Sequence, residues 1–220
     1  MTDETLLRGD GLGYDVATRT LWNDLGVVAE PHTAVAVRGV SGQGKTTLLR
    51  CLGGLERPTR GSVSVLGIDI HAAARHEQRR LRRDVIGFVT QDHAVVPEWS
   101  VRQNLGVVRP RGVTRQELDI RVATALDVVG LGGRQRIRAG LLSGGEQQRI
   151  AVARVLVQQP RVVLADEPTA SLDDVSAAMV RDGLELIRQR GGAVVVATHD
   201  LELASWCEAE VDLGAPIVNS

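Results

Sequence analysis

Lysine is almost missing from this chain: of 26 basic residues, all but Lys45 are arginine. Cysteine is scarce too. Cys51 and Cys207 fit neither a disulfide framework nor a zinc spacing, so reduced thiols in a cytosolic protein are expected. No apolar run reaches the roughly 18 residues that a membrane helix needs, and Met1-Thr2-Asp3-Glu4 lacks the basic-then-apolar start of a signal peptide. A formal net charge of −1 excludes a nucleic-acid binder driven by overall charge. Heptads, internal repeats and low-complexity segments are absent. The 220 residues suffice for one large domain, or a domain with an insertion, around a sizeable core.

The single lysine closes Gly39-Val40-Ser41-Gly42-Gln43-Gly44-Lys45-Thr46, which fits the G-x-x-x-x-G-K-[ST] phosphate loop. The flanks agree with that reading. Ala34-Val35-Ala36-Val37 is apolar on both faces, as a buried parallel strand is, and Thr46 to Leu52 reads as a helix stopped by Gly53-Gly54. Glycines let the chain wrap a phosphate without Cβ clashes, and the helix N-terminus adds partial positive charge. A compact ammonium is retained where a point charge must reach phosphate oxygens.

Before the loop, Leu12-Gly13-Tyr14 and Thr20-Leu21-Trp22 suggest strands, with Glu30-Pro31-His32 as a turn. Tyr14, the only tyrosine, is either a π platform for a base or a half-buried strand residue. After the loop helix, Gly61 to Gly67 alternates like a surface strand, and residues 72–83 form an arginine-rich helical stretch. That stretch is a solvated face or a contact for a partner or lipid headgroups. Val85 to Thr90 reads as a second buried strand. From 92 to 142 the composition turns helical, over Trp99–Val107 and Arg115–Val129, as an insertion in an α/β core. Ser143 and Glu146 have capping-box spacing ahead of a helix to Gln159. The intervening Gly144-Gly145 leave bare backbone, as close approach to an anion requires. Val162–Ala165 and Ala193–Thr198 read as further buried strands around an amphipathic helix at 173–190.

These buried strands end on Gly39, Gln91, Asp166-Glu167 and His199. In an open parallel sheet, ligands bind beyond the carboxyl ends of the strands, so one edge collects all four. Asp166 and the hydroxyl of Thr46 suit a hard cation. Glu167 is expected to diverge from Asp166, as neighbouring strand side chains do, and to be free to polarise a water.

With these residues laid out, the chain resembles the ATP-binding subunits of ABC transporters over nearly its whole length. Gln91 matches the Q-loop, Leu142-Ser143-Gly144-Gly145-Glu146-Gln147 the signature and Leu164–Thr169 the second Walker motif. Ser171-Leu172-Asp173 matches the D-loop, and Thr198-His199-Asp200 the histidine switch. Local wording is most like the lipoprotein-release and macrolide-export group. The resemblance implies an α/β P-loop NTPase with a mainly parallel sheet, an N-terminal antiparallel β subdomain and a helical subdomain. The single domain over 1–220 would comprise a nucleotide-binding core of 1–91 and 150–220 and a helical part of 92–149. It further implies a head-to-tail dimer, of two copies or of paralogues, that sandwiches two ATP with Mg²⁺. Gly39, Ser41, Gly42, Gly44, Lys45, Thr46 and Thr47 of one copy and Ser143, Gly144 and Gly145 of the other would grip the phosphates, and Tyr14 would stack on adenine. Thr46, Gln91 and Asp166 would hold the metal. Glu167 would be the general base, His199 and Lys45 would act on the γ-phosphate, and Gln91 would also sense a transmembrane permease. Without nucleic-acid contact, the chain would sit in the cytoplasm against the inner membrane through that permease.

Three departures stand out. Pro31-His32 replaces the usual Gly-Glu, Asp92-His93 and the apolar Ala94–Pro97 follow Gln91, and the short stretch after His199 is expected to exclude an appended regulatory domain. Two other functions compete with transport: an ATP-gated dimerisation switch with little turnover, and a non-transport ATPase of the iron–sulfur assembly kind. A GTPase is disfavoured, because its N-K-x-D motif needs a second lysine.

Overall fold

Strand alternation divides the core in two. The computed structural model describes residues 5–17, 19–92, 94–170 and 172–214; His93, Ser171 and the first four residues, all read above, lie outside the described residues. Strands β1 (Leu7–Val16) and β2 (Arg19–Ala29) form an antiparallel pair, extended by β4 (Arg60–Val65) and β5 (Ile68–Asp69) in the order β2-β1-β4-β5. The parallel sheet comprises β3 (Ala34–Arg38), β6 (Ile86–Val89), β7 (Val162–Asp166), β8 (Ala193–Ala197) and β9 (Ala209–Asp212), in the order β6-β7-β8-β3-β9. Val35, Val37, Leu164, Val195 and Ala197 face the antiparallel sheet and α1 (Lys45–Leu52), whereas Val163, Ala165, Val194 and Val196 face the other way.

That second face is covered by α5 (Gly144–Gln158) and α6 (Asp174–Gln189). From Ile150 to Val157 only Arg154 of α5 escapes full burial, because the helix packs on the sheet and also on α3 (Val101–Gly106) and α4 (Arg115–Val128). The boundary expected at 149–150 therefore falls inside one continuous helix. Short α2 (Arg75–Asp84) and α7 (Leu201–Ser205) complete the described α-helices, and a single 3-10 turn spans Ala139–Leu141.

Several boundaries differ from the sequence reading. The two N-terminal strands are far longer than expected, since Asp24 at φ 54° and register shifts near Gly9, Leu12 and Tyr14 break the alternation without ending the ladder. The arginine-rich helix starts at Arg75 rather than 72, because Asp69 Oδ1 accepts the Ala72 N–H at 3.0 Å and holds that stretch in a turn. The expected capping box on α5 is present, but it places Gly144 and Gly145 inside the helix. Pro31-His32 only alters its turn, where His32 takes φ 65° and donates to the Gly192 carbonyl.

Gly61, with φ +82°, is the second residue of β4 and lies so close to β1 that an added Cβ would stand 2.4 Å from the Asp10 carbonyl oxygen. Gly61→Ala is expected to cost about 3 kcal/mol, from left-handed strain together with overpacking. Urea unfolding measures this, and an unchanged midpoint would contradict the β1–β4 register.

Candidate functional site

The carboxyl ends of β3, β7 and β8 are neighbours, and beyond them opens a cleft of about 630 Å³. Gly39, Ser41, Gly42, Gly44, Lys45, Thr46, Thr47, Gln91, Asp166, Glu167 and His199 all line it, so the one-edge expectation is met. Leu21 of β2 gives the cleft an apolar side that the sequence reading did not foresee. Gly44 needs its missing side chain twice over. It takes φ +89° at the start of α1, and a Cβ would fall 2.8 Å from Leu21.

Lys45 reaches back along the loop. Its Nζ donates to the Gly39 carbonyl at 2.8 Å and lies 3.4 Å from Glu167 Oε1, both side chains being only 12% exposed. The other Glu167 oxygen, Oε2, lies 2.8 Å from His199 Nδ1 and accepts the His199 N–H at 3.3 Å. Glu167 thus does not diverge from Asp166 as expected. Its φ of 46° leaves the strand conformation, so the alternation rule ends one residue earlier, and both carboxylates turn into the cleft. Nor is it free, since lysine and histidine hold its two oxygens.

Thr46 Oγ1 donates to Asp166 Oδ2 at 2.7 Å. Burial pushes the Asp166 carboxyl above its ordinary range, against the opposing pull of that hydrogen bond. A carboxylate and a hydroxyl in contact, with Gln91 on the same wall, are hard oxygen donors suited to a magnesium ion that takes its remaining ligands from phosphate and water. Among the described residues no group of three or more His, Cys, Asp or Glu side chains could by itself hold a metal ion.

Hydrogen bonds brace this edge from behind. Gln148 of α5 donates from Nε2 to the Pro168 carbonyl at 3.0 Å, and Thr169 Oγ1 donates to Asp200 Oδ2 at 3.0 Å. Asp200 also caps α7, accepting from the Glu202 and Leu203 N–H groups. The turn after Glu167, the segment carrying His199 and the helix that begins at Gly144 are therefore tied together. Sequence spacing marks Gln148 only as one position of a helix.

Other anticipated residues lie elsewhere. Tyr14 is absent from the cleft lining: its ring sits 5.5 Å from that of Trp22, tilted by 43°, and its hydroxyl donates to Glu56. That hydrogen bond pushes its pKa up to about 12, and the half-buried strand reading describes its position. Ser143, Gly144 and Gly145 are also outside the cleft. Ser143 caps α5, and its backbone N–H on Glu146 holds that carboxyl below its usual range. A Cβ on Gly144 would meet nothing within 4 Å, so packing inside the chain does not require that glycine. Asp173 of the expected D-loop caps α6, accepting the Ser176 N–H at 2.9 Å.

Residues 22–170 match the ABC transporter family. The lipoprotein-releasing system ATP-binding protein LolD of Alcanivorax borkumensis is 42% identical over 181 residues, which is 81% of this chain and 79% of that one. LolD 1 of Rhodospirillum rubrum is 41% identical over 212 residues, covering 96% and 93% respectively. Among solved structures, the dimeric structure of MJ0796, a bacterial ABC transporter cassette, aligns with a TM-score of 0.84 at 28% identity, over 94% of this chain and 95% of that one. A dimeric post-hydrolysis state of the same cassette, bound to ADP and Pi, gives 0.83 at 29% identity, over 94% and 93%. Loop, paired carboxylates and histidine at the strand ends thus have a common explanation in ancestry: the chain belongs to the ABC transporter family, as an ATP-binding domain.

Proposed function

We propose that this chain is the ATP-hydrolysing subunit of a lipoprotein-release-type transporter, which pairs head to tail with a second such domain and drives a separate transmembrane permease. The observation that carries this reading is the division of the phosphate-directed residues. Lys45, Thr46, Asp166, Glu167 and His199 share one cleft, whereas Ser143, Gly144 and Gly145 lie outside it. A second copy, turned about, would bring its own Ser143–Gly145 to the triphosphate. Surface chemistry supports the same arrangement. Among the described residues, the four most exposed large apolar side chains are Leu141 at 79%, Val40 at 70%, Leu201 at 69% and Val175 at 65%. Each stands within two residues of the signature, the phosphate loop, His199 or Asp173, as faces buried between two copies would have it.

In this mechanism the loop N–H groups and the α1 N-terminus receive the phosphates, and Lys45 exchanges Glu167 for phosphate oxygens. Thr46, Asp166 and Gln91 would hold Mg²⁺, whose charge offsets that of the phosphates. Once released from Lys45, Glu167 Oε1 accepts a proton as the water oxygen bonds to the γ-phosphorus and the bridging β–γ P–O bond breaks, so that ADP and phosphate leave, while His199 steadies Oε2 and faces the γ-phosphate. No described helix is long and apolar enough to cross a membrane. Membrane association would therefore come through the permease, on the cytoplasmic face. Relatives named for lipoprotein release motivate the choice of cargo, and the described geometry favours neither competing function.

Two substitutions test the assignment. Glu167→Gln should retain ATP binding, slow hydrolysis by at least about 10²-fold and accumulate a nucleotide-loaded dimer on a sizing column; near-normal turnover would remove Glu167 from the role of base. Lys45→Ala should weaken ATP far more than adenosine, because the ammonium acts on phosphates; equal losses by calorimetry would contradict its placement.

A further inference from the structure

Between Gly39 and Thr47, every residue lines the cleft except Gln43. Its side chain folds over the other side of the loop. The Val40 N–H donates to Gln43 Oε1 at 2.6 Å, while the Gln43 N–H donates to the Val40 carbonyl at 3.3 Å. Backbone and side chain of Gln43 thus bind both polar groups of Val40, closing a ring across the loop. Two glycines leave space for the carboxamide. A Cβ on Gly39 would stand 2.5 Å from Gln43 Oε1, and one on Gly214 would stand 3.3 Å from Nε2. Gly214 follows β9, whose end is fixed to β3 by the Leu213 N–H on the Arg38 carbonyl at 2.9 Å. The ring therefore rests against the sheet edge rather than standing alone.

We propose that Gln43 is a positioning residue for the triphosphate: without touching nucleotide, it keeps the loop's N–H groups convergent by tying the loop tip to its root. A phosphate cradle stabilises its ligand most when little ordering remains to be done on binding. Gln43 supplies that order through one acceptor oxygen. This role rests on the reading of the loop as the ATP site.

Removing a single hydrogen bond of this kind corresponds to about a fivefold change in equilibrium. Gln43→Met preserves length and removes the acceptor. It is expected to weaken ATP and ADP about fivefold, with adenosine affinity and kcat each within about twofold of the parent and the urea midpoint unchanged. Gln43→Glu keeps the acceptor and should regain most of the lost affinity in high salt, where its added charge is screened. Calorimetry with ATP, ADP and adenosine on the parent, both variants and Lys45→Ala decides the matter. ATP affinity lost in Lys45→Ala but intact in Gln43→Met overturns the positioning role alone. A Gln43→Met loss equal for ATP and adenosine, or one accompanied by a lower urea midpoint, overturns it too, by indicating general disruption. Unchanged ATP affinity in Lys45→Ala overturns the loop assignment itself.

Discussion

The cleft is organised about one ammonium. Lys45 Nζ stands between the Gly39 carbonyl and Glu167, in surroundings mostly shielded from water, where an ion pair is worth more than at the surface and an unpaired charge costs more. Any triphosphate that enters must offer this cation a better set of oxygens than Glu167 does. The same exchange frees a Glu167 oxygen that would receive a proton. Binding of the phosphates and readiness of the base are then linked through a single contact, with no large movement required.

The fold makes that contact possible by bringing distant segments to one edge. Thr46 and Asp166 are 120 residues apart in the chain, yet hydroxyl and carboxylate meet at 2.7 Å because β3, β8 and β7 lie side by side. Behind the edge, Gln148 links the helix that starts at the signature to the turn that follows Glu167. A partner domain engaging Ser143–Gly145 would therefore press on a helix already bonded to the turn after Glu167. The hydrophobic core reinforces this tie, since α5 packs on the sheet and on the inserted helices alike.

Much of this was legible in the sequence, for definite physical reasons. Doubly apolar strands such as Val162–Ala165 announce a parallel sheet, and the rule that ligands gather at strand ends correctly grouped Gly39, Gln91, Asp166 and His199. Features set by tertiary contacts were not legible. Glu167 is a carboxylate in any reading, but its left-handed backbone, which brings it toward Lys45, is a single-residue departure at the strand end that alternation does not signal. The edge strand β9 and the short α7 carry too few apolar residues to signal themselves; Glu208, between them, accepts the Ala34 N–H at 2.7 Å and pins the segment to β3. Gln43 occupies a position where the loop pattern admits any residue, so only coordinates reveal its ring with Val40. Tyr14 illustrates the converse, an aromatic singled out by rarity whose ring sits against Trp22 instead of in the cleft.

The most direct measurement of the central claim is a crystal structure grown with a non-hydrolysable ATP analogue and magnesium. The account predicts terminal phosphate density between Lys45 and Asp166, with the Lys45–Glu167 contact opened and Glu167 still beside His199. Nucleotide density away from the loop, or phosphates bound while Lys45 remains on Glu167, would contradict it.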